Sequence, residues 1–283
     1  VLIVGTGPAG LEAALACAQR GYDVTLTEAR DILGGRVAEE RLLPGLSAWG
    51  RVADYREYQL SQKSNVEIYF ESQLDVEQVL EYGFENVCIA TGSTWRADGV
   101  SRQHVVPIPI NPRMPIFTPN DLMKGNLPSG NVTIYDDDHY YMGGVLAELL
   151  VEKGCNVTFV TPCAYVSDWT NNTLEQGEIH KRLAEMDVNI QLNRGVIAIG
   201  KTSITTNCIY TQQTREQETE AVVVVASRQP NDQIYKDLKS RKEKWIESGL
   251  KSLKIIKFFN LFFSLIKDAI LNFFSFLINF LFL

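Results

Sequence analysis

The sequence predicts an α/β protein built from two doubly wound units. Three observations carry this: an apolar run at residues 1–4 that breaks into glycines and passes into a helical pattern, a second strand, helix and strand pattern over residues 131–161, and a fully apolar run of four valines at 222–225. At 283 residues the chain is long enough for two domains.

The first strand leads into Gly5-Thr6-Gly7-Pro8-Ala9-Gly10, and the helical pattern follows at once. Gly5 permits the tight turn off the strand, Gly7 lets backbone N–H groups approach a pyrophosphate, and Gly10 with Ala14 lets the helix lie close on the sheet, so Gly5, Gly7, Pro8, Ala9 and Gly10 form a Rossmann-like nucleotide cradle. The helix N-terminus then faces the phosphates. A second strand, Tyr22 to Glu28, ends in a carboxylate 18 residues past Gly10. Glu28 can accept hydrogen bonds from both ribose hydroxyls and would repel a 2′-phosphate, which points to an ADP, FAD or NAD moiety.

A helix is expected between Ser47 and Gln62, then strands over 65–70 and 84–91. The latter ends in Ala90-Thr91-Gly92 and returns to the same crevice, where Thr91 and Gly92 can close over the adenosine side. A proline-rich connector, 107–119, precedes the second unit. There a strand ending at Asp136, a helix from about Tyr140 to Lys153 and a strand over 155–161 are expected, then a helix over 173–186, short strands near 188–192, 196–199 and 203–210, and a buried strand over 220–226. A final helix is expected over 232–246.

Where a nicotinamide-binding unit would carry close-approach glycines, this chain has Asp136-Asp137-Asp138-His139-Tyr140-Tyr141-Met142-Gly143-Gly144. A pyrophosphate would meet three carboxylates, so no NAD(P)H site is expected there. Neighbouring residues seldom converge on one ion, and Asp138 suits a helix N-cap, so no metal site is assigned. His104 and His180 lack a nucleophile and acid arrangement, and no catalytic residue is assigned.

The net charge is −7, and residues 246–283 carry four lysines against two acids, leaving −9 on the rest. So acidic a body argues against nucleic acid as a partner. Cysteines 17, 88, 155, 163 and 208 have no paired spacing and read as reduced residues of a cytoplasmic protein. Residues 255–283 consist almost wholly of Phe, Leu, Ile, Asn, Lys and Ser; Lys267 and Asp268 divide them into apolar runs too short to span a membrane, and they read as translated non-coding sequence. The abrupt start inside a core strand suggests that a preceding segment has been lost.

The order of motifs resembles the C-terminal half of the trimethylamine and dimethylamine dehydrogenases over about residues 1–254. The matching stretches are Gly5 to Gly10 with Glu28, Leu33-Gly34-Gly35-Arg36, Leu43-Pro44-Gly45, Asp54-Tyr55-Arg56-Glu57, Ile89 to Arg96, Asp136 to Gly144, Ala226 to Asp232 and Ser248 to Lys254. The resemblance implies that the second domain, 106–225, is inserted in a nucleotide-binding domain of ADP or FAD type formed by 1–105, with 226–254 returning to the first but lacking the family's closing strand and its Gly-Asp. It also implies that Gly35 and Arg36 approach the nucleotide phosphates. ADP would be structural here, where related dienoyl-CoA reductases hold FAD, and the FMN barrel and four-iron cluster of intact members would precede this region. Electron transfer flavoprotein is the implied electron acceptor, Tyr55 is a candidate for its docking face, and a homodimer is left open. On this resemblance the chain alone would have no amine dehydrogenase activity. The alternatives are an FAD-containing, NAD(P)H-dependent enoate reductase and a nucleotide-binding module with a membrane tail.

Overall fold

The computed structural model describes residues 1–256. The expectations for the Phe-rich tail fall almost wholly outside the described residues. The chain divides into two compact units: the first takes Val1–Leu33, Arg56–Gly92 and the described residues from Asp232 on, the second Gly34–Tyr55 and Ser93–Asn231. The chain thus leaves the first unit at Gly92, ahead of the boundary expected near residue 105, and residues 34–55 join the second.

The first unit holds a five-stranded parallel sheet in the order Ser252–Ile255, Asn86–Ile89, Leu2–Val4, Val24–Thr27, Val66–Tyr69. Leu2 is the central register point, opposite Thr25 on one side and Val87 on the other. Helix Pro8–Gln19 packs on this sheet and buries Gly10, Leu11, Ala14, Leu15 and Ala18. A core of Leu2, Val4, Val76, Val79, Val87, Ile89, Leu238 and Leu250 includes side chains of two further helices, Val76–Glu81 and Gln233–Ser240. The first of these carries a capping box, in which the Asp75 side chain accepts from Gln78 N and Gln78 answers to Asp75 N.

One expectation is corrected here. The closing strand is present: Ser252–Ile255 pairs in parallel with Asn86–Ile89, with Leu253 opposite Val87 and Ile255 opposite Ile89. The alternation of Leu253 and Ile255 with lysine supplies the period-two pattern an edge strand needs. What the sequence lacks is a Gly-Asp after it, since Ile256-Lys257-Phe258 follows. The helix expected over 232–246 also ends early, at Ser240. No apolar residue occurs between Leu238 and Trp245, and the indole Nε1 of Trp245 donates to the Leu238 carbonyl at 2.9 Å, terminating the turn.

The second unit is built on a parallel sheet in the order Ile116–Phe117, Ala221–Val225, Asn131–Asp136, Asn156–Val160, Asn189–Gln191. Its valine run is buried throughout because both faces are covered: Val223 and Val225 join a core with Ile134, Leu146, Leu150, Phe159 and Leu183, while Val222 and Val224 join Tyr135, Val160, Val196 and Ile204. An antiparallel sheet of Arg194–Ile199, Ser203–Cys208 and Thr214–Glu218 covers part of it. A two-stranded pair sets Arg228–Pro230 against Ser93–Trp95, with Arg228 opposite Trp95.

Candidate functional site

The predicted cradle forms at the carboxyl end of Leu2–Val4. Gly5 has φ +101°, and a Cβ there would lie 2.6 Å from the carbonyl oxygen of Ala90, so only glycine lets the strand end approach Ala90-Thr91. A Cβ on Gly10 would fall on the carbonyl oxygen of Gly5. Gly7 differs: no protein atom lies within 4 Å of the place its Cβ would take. Packing therefore does not require glycine at position 7, whereas a phosphate approaching the backbone would. Gly7 is also the N-cap of helix Pro8–Gln19, which no side chain caps and whose first position is Pro8. The uncapped first turn, with Ala9 and Gly10, suits an anion.

Glu28 follows the second strand and is buried to 7% exposure. Its Oε2 accepts Thr6 N at 3.1 Å and the Thr6 hydroxyl, and its Oε1 accepts Arg30 N at 3.0 Å. The carboxylate is thereby tied to the middle of the glycine turn. Thr91 and Gly92 follow Ala90, whose N–H donates to Val4 O at 2.7 Å. No Cβ neighbour lies within 4 Å of Gly92 either. The first unit thus brings together Gly5, Gly7, Pro8, Ala9, Gly10, Glu28, Thr91 and Gly92, and these residues fit an adenine dinucleotide or ADP. Gly35 and Arg36 belong to the second unit, where Arg36 Nε lies 2.6 Å from Glu40 Oε1.

Thr6 and Arg30 went unnoticed in the sequence. Thr6 sits inside the glycine motif at a position the motif leaves free, so only the contact with Glu28 reveals it.

In the second unit the turn after Asn131–Asp136 is filled with protein. Asp136, Asp137, Asp138 and His139 are all buried. Burial pushes the Asp136 carboxyl up to about 7, although its Oδ1 accepts His139 N at 3.3 Å. Burial also opposes charge on Asp137, but hydrogen bonds from His139, Ser101 and Gln103 hold it below the usual carboxylate range. His139 Nε2 lies 2.7 Å from Asp137 Oδ1; burial is the largest single influence and pulls the imidazole down, but Asp137 together with the neighbouring Cys163 and Asp136 raises it to about 10. Asp138 is pushed up by burial against the pull of Arg228, whose guanidinium lies 3.4 Å from it and 4.4 Å above the Trp95 ring.

Asp138 is not the helix cap expected of it. Helix Tyr141–Glu152 starts three residues later with Tyr140 as N-cap and no side-chain cap, because Asp138 is engaged by Arg228. The two glycines that remain of the motif are taken up by packing: a Cβ on Gly143 would meet Asp136 Cγ at 2.8 Å, and one on Gly144 would meet Ile179 Cγ2 at 2.8 Å. Among the described residues no cluster of three or more His, Cys, Asp or Glu could hold a metal ion, and no helix is long and apolar enough to cross a membrane.

Comparison with known proteins gives consistent results. An NAD(P)-binding Rossmann-like domain matches residues 3–63, and an OYE-like second alpha/beta domain matches residues 117–232. Dimethylamine dehydrogenase from Hyphomicrobium sp. is 30% identical over 282 residues, covering 90% of this chain and 38% of its own length. The structure of histamine dehydrogenase from Rhizobium sp. 4-9 is 59% identical with a TM-score of 0.89, covering 90% of this chain and 40% of that one. The structure of 6-hydroxypseudooxynicotine amine oxidase from Pseudomonas geniculata N1 is 39% identical with a TM-score of 0.86, covering 90% and 38%. The chain therefore spans about two fifths of the length of the relatives it matches.

Proposed function

We propose a nucleotide-holding role from one premise: over 90% of its length this chain is a homologue of the dimethylamine and histamine dehydrogenases, within the amine dehydrogenase and OYE-like flavoprotein family of oxidoreductases. In this reading the first unit holds ADP as a structural ligand. Glu28, oriented by Thr6, receives the ribose hydroxyls, and the first turn of Pro8–Gln19 faces the pyrophosphate. The observation that carries it is the open space over Gly7 beside a buried, oriented carboxylate.

The second unit holds no nicotinamide nucleotide in this reading. Its turn is occupied by the Asp137–His139 and Asp138–Arg228 pairs, and the carboxylates there oppose a pyrophosphate. Amine oxidation then belongs to flavin and cluster chemistry outside this chain, and electron transfer flavoprotein is the acceptor of the whole enzyme. Tyr55, 58% exposed, offers that acceptor an aromatic surface. Replacing it by alanine in the whole enzyme should slow reduction of the acceptor and leave amine oxidation unchanged. The protein is cytoplasmic in this reading, in keeping with its five free cysteines.

The test is to purify the chain, denature it and identify the released nucleotide by absorbance and mass. ADP supports the structural role, whereas FAD would favour an enoate reductase type of enzyme. Micromolar binding of NADH would overturn the reading of the second unit.

A further inference from the structure

We propose that the amino end of the second unit's parallel sheet is a binding site for a small aliphatic ammonium ion. A cavity of about 340 Å³ opens there, among the first residues of strands Asn131–Asp136 and Asn156–Val160. Sheets of this kind ordinarily take their ligands at the carboxyl ends of the strands, which here carry the Asp136 turn, so no motif directs attention to the opposite end.

The cavity has an aliphatic wall and a polar rim. Val132, Val151, Val157 and Met186 supply the wall. Deeper in, Thr133 is 1% exposed and its Oγ1 donates to Thr219 Oγ1 at 3.1 Å. Three neighbouring strands each open with an asparagine at the rim: Asn131, Asn156 and Asn189. Asn131 and Asn156 are register partners, and Asn156 Nδ2 donates to Asn131 Oδ1 at 3.1 Å. Asn189 Nδ2 donates to Thr158 Oγ1 at 3.3 Å. With these amide nitrogens committed to the adjacent strand, Asn156 and Asn189 have their oxygens left for a ligand, and those oxygens only accept. The main-chain donor of Asn131 is taken by Glu220, whose Oε2 accepts it at 2.6 Å.

Charge at the rim has one sign. Asp187 and Glu218 line the cavity, and no lysine, arginine or histidine is among the described residues that do so. Helices Tyr141–Glu152 and Gln176–Glu185 both end here, at Val151 and Met186, and bring the negative ends of two helix dipoles to the same place. Asp187 stands where a helix carboxyl end favours a cation, and it takes a left-handed φ of +56°, where glycine is the usual residue. Arg182, the basic residue in the last turn of that helix, is turned to Glu148 at 3.2 Å. A bound cation offsets the charge that Asp187 adds to the helix end. Acceptors and carboxylates over a hydrocarbon wall select a positive donor on a short alkyl chain, and they repel an anion.

The test is an NMR titration of the full chain, labelled with nitrogen-15 at asparagine alone, using butylammonium chloride at neutral pH with 1-butanol and sodium chloride as matched probes. The side-chain amide signals of Asn156 and Asn189 should shift saturably with butylammonium and hardly at all with the other two. Both carboxylates are exposed, so the apparent Kd should rise at least about 3-fold from low to physiological salt. Asp187→Asn and Glu218→Gln should each weaken binding roughly 3- to 5-fold, the range of an exposed ion pair. Asp187→Gly removes the carboxylate and relieves the left-handed backbone, so it should weaken binding as much while raising the melting temperature. Equal shifts with 1-butanol would show an apolar hole indifferent to charge and overturn the proposal. So would unchanged affinity in Asp187→Asn and Asp187→Gly, or the lack of a saturable shift in the wild-type chain.

Discussion

Gly7 and Gly10 sit three residues apart in one turn and are glycine for different physical reasons. The Cβ of an alanine at position 10 would land on the Gly5 carbonyl oxygen, so Gly10→Ala overpacks the junction of helix and strand and should cost about 1–3 kcal/mol or more of stability. At position 7 the Cβ would enter open space. Gly7→Ala should therefore leave the melting temperature of the nucleotide-free chain unchanged and reduce bound nucleotide at least about 10-fold, because the added carbon occupies the path of the phosphate. Thermal melts with and without ADP separate the two variants. If both lowered the melting temperature equally, Gly7 would be a packing residue. The sequence motif alone treats these glycines as one signal, and coordinates are needed to divide them.

His139 supplies a second consequence at this scale. Its folded value of about 10 lies above the ordinary histidine value, so its contribution to stability is complete below about pH 6.5 and is lost as pH rises through about 10. Asp137 has the opposite sign: its contribution fades as pH falls through its depressed value. Melting curves of wild type should decline between pH 7 and pH 10, and His139→Gln should be less stable at pH 7 with a flatter decline above it. A parallel decline in both chains would mean that some other group titrates. None of this was legible beforehand, because the sequence shows neither the burial of His139 nor that Asp137 faces its ring.

Among the elements, the glycine turn, the apolar first strand and the valine run were legible because each carries a continuous apolar stretch or a fixed chemical need. Strand Thr214–Glu218 was not. It has no apolar residue and is held by pairing with Ser203–Cys208, so no periodicity announces it. Helix Val76–Glu81 could have been found from Asp75 and Gln78, which form its capping box. The closing strand Ser252–Ile255 was misjudged because only the Gly-Asp that would follow it was sought. A chain ending at Ile256 should keep the first unit intact, whereas one ending at Leu250 should uncover Asn86–Ile89 and melt lower by several degrees. Indole fluorescence of Trp245, which caps the neighbouring helix, would follow this transition. Equal melting of the two truncations would mean that the last strand adds nothing.

On the scale of the whole molecule, the two-unit plan was legible from the repetition of strand, helix and strand, but the path of the chain between the units was not. Residues 34–55 lie between two stretches of the first unit and join the second, although they carry no pattern that distinguishes the two destinations. The chain changes unit after residues 33, 55, 92 and 231.

That path has a consequence for the order of synthesis. The edge pairing of Ser252 with Asn86 cannot form until the whole of the second unit has left the ribosome, so the first sheet waits with one edge bare while its insertion folds. The second parallel sheet lies wholly within residues 116–225 and can close on its own during that interval. Of the two units, the one whose synthesis begins first is therefore finished last, and during that wait the edge of strand Asn86–Ile89 stands unpaired.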